Sequence, residues 1–173
     1  MPSGRTHDRI TYLFALPAAW AAYAYAGSLV HALLAAAGVL FGGLMFGPDL
    51  DVKSVQYYRW GPLRWIWWPY QRMFRHRSVW THGVIASLAV RLAYFTLVVA
   101  VAGAIAYALF ATYVPGLDLQ GILPRDLSGV RRTDPVGLGV ALAGIWLGGA
   151  LHTWADVSVS LARRAFGRRR RRR

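Results

Sequence analysis

The stretch from Ile10 to Pro48, ITYLFALPAAWAAYAYAGSLVHALLAAAGVLFGGLMFGP, contains no Asp, Glu, Lys or Arg. As one helix at about 1.5 Å per residue it would be roughly 58 Å long, about twice the ~30 Å hydrocarbon thickness of a bilayer. It therefore reads as two apolar spans, about 10–26 and 28–47, folded back at Gly27-Ser28, where glycine permits the turn. A hairpin of this composition decides the fold class as an all-α integral membrane bundle.

Working outward, a third apolar stretch runs from Gly83 to Val114, with Arg91 as its only charge. Arg91 lies near the start and is expected to snorkel to the interface. A fourth runs from Val136 past Trp154 and contains Gly137, Gly139, Gly144, Gly148 and Gly149, which suits close helix packing in lipid. About four transmembrane helices follow, in one membrane-embedded domain over residues 1–165, with a polybasic disordered tail over 166–173. Of the 173 residues, 56% are apolar and 16% charged, a balance unlike that of ordinary soluble domains. Two other readings are weaker. A signal peptide ending at Ala24-Tyr25-Ala26 would be followed at once by another apolar span, and a soluble buried bundle sits badly with the uncharged run.

Orientation comes from the basic residues, which cytoplasmic loops retain. Arg5 and Arg9 precede the first span, and Lys53, Arg59, Arg64, Arg72, Arg75 and Arg77 lie between the second and third. Arg163, Arg164 and Arg168 to Arg173 follow the fourth. The link between spans three and four offsets Arg125, Arg131 and Arg132 with Asp118, Asp126 and Asp134. Both termini are therefore expected in the cytoplasm, with the chain in an inner or plasma membrane. The arginine tail suits anionic lipid, at up to about 1 kcal/mol per residue. Nucleic acid is a poorer partner, since no recognition motif accompanies the charge. The run Tyr57 to Tyr70, in which aromatics and basic residues mix without a clean period, reads either as a segment lying on the membrane or as a packed aromatic cap.

The chain has no cysteine, and its seven acidic residues are all Asp. Any metal must then be held by nitrogen and oxygen, and any catalytic carboxylate must be an Asp. On the four-span topology His7 precedes span one, Asp49 and Asp51 follow span two, His76 and His82 precede span three, and His152 and Asp156 close span four. An even number of crossings separates these positions, so all seven fall at the cytoplasmic face. His152 and Asp156, at i and i+4, share one helix face and suit either a mutual hydrogen bond or two ligands for one ion. His31, at the opposite end of span two, is expected to be structural.

These residues resemble a known family. Gly47-Pro48-Asp49-Leu50-Asp51, His76-Arg77-Ser78 with Thr81-His82-Gly83, and His152 with Asp156 are similar to the inner-membrane-associated metal-dependent hydrolases. Ser3-Gly4-Arg5-Thr6-His7 and the run from Arg59 to Tyr70 resemble more specifically its branch of uncharacterised metal-binding membrane proteins. The interval from His76 to His82 is longer than the His-Arg-Gly-x-Thr-His pattern of the wider family. The resemblance implies a multi-helix membrane protein with a His/Asp metal centre.

Seven ligands exceed the needs of one catalytic zinc and suffice for two ions sharing a carboxylate, with Asp49 or Asp51 as the bridge. Imidazole with carboxylate suits zinc or manganese, and also iron or nickel. The expectation is a metal-dependent hydrolase at the cytoplasmic interface, acting on a phosphoester or lipid headgroup, with Asp51 and Arg77 catalytic and Arg77 clamping an anionic oxygen. The alternative is a metal-binding membrane protein without catalysis.

Overall fold

The computed structural model describes residues 3–113 and 134–170, and every regular element among them is helical. Helix α1 (Gly4–Ala26) starts where Ser3 Oγ accepts the Thr6 amide and stops at Gly27, whose left-handed φ of 62° lets its amide close on the Tyr23 carbonyl. That is the expected turn, and α2 (Leu29–Leu44) leads back from it. The last helix, which we call α7 (Pro135–Arg170), packs along α2 and also touches α1. The expected disordered tail is thus helical as far as Arg170, and residues 171–173 lie outside the described set. So do residues 114–133, which include Asp118, Asp126 and the three arginines used above for orientation.

Glycine brings α2 and α7 together. A Cβ on Gly42 would stand 2.2 Å from the Ile145 carbonyl oxygen, and one on Gly148 2.3 Å from the Val39 carbonyl oxygen. Neither backbone could approach so closely with a larger residue, as expected for helices that associate by packing alone. Gly144 makes the same kind of contact, whereas Gly139 meets nothing nearby.

Between α2 and the next long helix the chain forms a compact elbow. It comprises a 3-10 turn over Pro48–Asp51, α3 (Val55–Arg59), a 3-10 stretch over Gly61–Trp67, α4 (Trp68–Met73) and α5 (Val79–His82). One face of its aromatic run is the expected packed cap. Tyr57, Trp67 and Tyr70 are buried against Phe46, Leu50 and Tyr94. Trp67 stacks on Phe95 and meets Phe46, Trp60 and Tyr70 edge-on. Tyr58, Trp65 and Trp68 face outward. The Arg59 guanidinium grips both oxygens of Asp8, which ties the elbow to α1.

Helix α6 (Ala86–Tyr113) leaves this body, and only Ser87, Arg91 and Tyr94 of its residues are buried. Three segments are long and apolar enough to cross a membrane: Leu29–Asp51, Ala86–Tyr113 and Pro135–Arg163. The fourth expected span, in α1, is not among them. Its first turns are polar, and Tyr12, Trp20, Tyr23 and Tyr25 dilute the apolar run that follows. Arg91 also departs from expectation. It does not snorkel outward but is 1% exposed, with Nη1 donating to the Thr81 carbonyl at 3.3 Å. Gly149 admits its Nη2, which would lie 3.2 Å from a Cβ there.

Candidate metal centre

The 3-10 turn at Pro48–Asp51 presents two carboxylates at the end of α2. Gly47 precedes it because a Cβ would strike the Gln56 side chain at 2.2 Å. Gln56 in turn receives the Asp49 amide and donates to the Gly43 carbonyl, so the turn is pinned from both sides. Ser54 Oγ donates to the Asp49 carbonyl at 2.8 Å. The Asp51 side chain is fully buried.

The histidines converge on these two residues. His76 Nδ1 lies 2.9 Å from Asp51 Oδ1, and His82 Nδ1 lies 3.7 Å from Asp51 Oδ2. Both therefore reach the cluster despite their longer interval. Arg77, between them in sequence, has a left-handed φ of 60°, which turns the chain immediately after His76. His82 Nε2 stands 3.3 Å from Asp49 Oδ1, and His152 Nε2 stands 3.1 Å from Asp49 Oδ2. From α1, His7 Nε2 approaches Asp156 Oδ1 at 3.4 Å, and its ring stacks on His152 with centroids 3.8 Å apart. The i, i+4 pair on α7, His152 and Asp156, are 4.0 Å apart. All seven expected residues thus form one continuous cluster.

Hydrogen bonds among these groups do not account for their burial. Asp49 Oδ1, Asp51 Oδ2, His82 Nε2, both ring nitrogens of His152 and both oxygens of Asp156 are buried without a hydrogen-bond partner. Several meet one another at ion-pair distance but without hydrogen-bond geometry. Buried polar atoms left this way are costly, and a cation among them removes the cost. Two groups have donor atoms within 4.8 Å of one another, His7 with His152 and Asp156, and Asp49 with His76 and His82. Bonds of about 2.0–2.2 Å to a shared ion hold donors at most about 4.4 Å apart, so a bound ion would draw each group slightly inward. Burial and the stacked His152 hold the His7 imidazole below its ordinary pKa, which favours the neutral form that coordinates metal. The donors are nitrogen and oxygen only, a set that suits a divalent cation and excludes a thiolate site.

Two cavities border the cluster. One of about 340 Å³ is lined by Arg77, His82 and Asp156 together with Thr153, Val157 and Leu161. A second of about 240 Å³ opens on His7, Asp49, His152 and Arg59. His31 is apart from all of this and pairs with Asp134, as expected of a structural residue. Sequence reasoning missed Arg91 and Gln56. A lone arginine in an otherwise uncharged span was a signal for the first, whereas an elbow glutamine carries none.

Comparison with curated proteins and with solved structures finds no match. The family model described as uncharacterized metal-binding protein (DUF2227) matches residues 2–166. With nearly its whole length in that match, the chain belongs to this family of metal-binding proteins.

Proposed function

We propose that the chain is a membrane-embedded, metal-dependent hydrolase with two ions side by side at the cytoplasmic face. Asp49 carries this reading. Its two oxygens lie 3.3 and 3.1 Å from histidines of two separate donor groups, the arrangement a bridging carboxylate requires. Ions held there would acidify a water and stabilise charge on the oxygens of a displacement. The chain's own residues supply the rest. Asp51 orients His76 through its Nδ1 and adds negative charge that raises the basicity of the imidazole. Arg77, on the wall of the larger cavity, would bind an anionic oxygen of a phosphoester. Val157 and Leu161 on the same wall suit an apolar substituent, so a lipid headgroup is the substrate class we favour.

The membrane reading is supported by α6. Leu97, Val101, Ile105, Leu109 and Phe110 are each at least half exposed, and none of the most apolar window of the helix is buried within the chain. At about 1.5 Å per residue its 28 residues extend about 42 Å, enough to span the hydrocarbon. In this reading α1 is the fourth and least apolar crossing.

The burial of His7 and His152 favours a second reading, in which an ion only ties α1 to α7. The two separate in one experiment. Protein purified in detergent and loaded with zinc or manganese is assayed on phospholipids, phosphoesters and amides. Hydrolysis is expected, and Asp51→Asn should lower it about 10–100-fold with weakened metal retention. Absence of turnover on every substrate, with Asp51→Asn affecting only thermal stability, selects the structural role.

A further inference from the structure

The outward face of the elbow has no task in this account. From Val52 to Leu117 the chain has no acidic residue, and Arg59 of this stretch is met by Asp8 of α1. A cavity of about 150 Å³ lies there, lined by Lys53, Tyr57, Tyr58, Arg64, Trp65 and Trp68. The Arg64 guanidinium sits over Tyr58 at 5.6 Å and over Trp65 at 5.7 Å from the ring centroids. Beside it, Arg72 covers Trp68 at 4.0 Å. The aromatic faces are thus already engaged by the protein's own cations, and a quaternary ammonium headgroup would meet both occupied rings and the charge of Lys53.

We propose that this cavity binds the phosphate of an anionic phospholipid, held between Lys53 and Arg64. The surroundings favour a lipid over other polyanions. Leu63 and Trp65, the sequence neighbours of Arg64, are 61% and 64% exposed, and tryptophan with a cationic neighbour is the pairing found at headgroup depth. Lys53 also stands two residues after the apolar segment Leu29–Asp51, which in the membrane reading is where a headgroup layer begins. This placement rests on the membrane reading above, although binding of a dispersed lipid does not require a bilayer.

The test uses the full chain in neutral detergent. Short-chain phosphatidylglycerol, phosphatidylcholine with the same chains, and inorganic phosphate are each titrated by calorimetry. The wild type should bind phosphatidylglycerol at least about tenfold more tightly than the other two. Lys53→Ala with Arg64→Ala should abolish that preference while metal content and melting temperature stay unchanged. Arg5→Ala with Arg9→Ala, which removes equal charge from exposed positions on α1, should retain it. Equal affinity for the three ligands, or equal loss in the two double variants, overturns the proposal. Recovery of the chain in the soluble fraction of lysed cells would instead count against the membrane reading, and the titration would still decide the lipid site.

Discussion

Arg91 shows how one side chain can serve a site it does not enter. It is buried beneath the elbow, and its Nη1 holds the carbonyl of Thr81, the residue before His82. Arg91→Met keeps much of the volume but removes the charged donor. It should cost about 1.5–3 kcal/mol, the range for hydrogen bonds to charged groups, and loosen metal binding through His82. Unfolding in denaturant, with and without metal, measures both effects. The grouping of the seven His and Asp residues was legible in sequence because each stands at or near the end of an apolar run. Arg91 was misread because hydropathy reports that a charge interrupts a span and not whether it turns outward or toward a buried carbonyl. Gln56, which pins the Asp49 turn, was not legible at all, since its role depends on a contact with Gly43 made only after the chain has folded back.

Among the elements, the contact between α2 and α7 sets the spacing on which the centre depends, since α2 leads into Asp49 and Asp51 and α7 carries His152 and Asp156. Gly42→Ala would drive a methyl into the Ile145 carbonyl. It should destabilise the fold by about 1–3 kcal/mol, the usual cost of overpacking, and lower the melting temperature in detergent. Gly139→Ala, which meets nothing within 4 Å, is the matched control and should leave it unchanged. The hairpin could be read in advance because Gly27 stands alone between two uncharged runs. The glycine-rich character of the last helix was also visible, but its partner was not. The elbow resisted sequence reading for a physical reason. Its 3-10 turns at Pro48 and Gly61-Pro62 break the helical period, so inward Trp67 and outward Trp65 and Trp68 follow no simple repeat.

For the molecule as a whole, the long apolar helices and the His/Asp cluster make one scheme. In the proposed orientation the ligand-bearing ends lie on the cytoplasmic side. A reporter fused after Arg173 should therefore be active in the cytoplasm. Activity only outside would reverse the proposed orientation and place the centre on the other face. The account's central claim is that the cluster is built to hold metal, with Asp49 between two ions. Its most direct test is the metal content of purified protein by plasma mass spectrometry, in the wild type and in His7→Ala and His76→Ala, each of which removes a ligand from one donor group. The account predicts about two zinc or manganese ions per wild-type chain and about one in each variant. Protein that retains no stoichiometric metal, or a content that neither substitution changes, would contradict it.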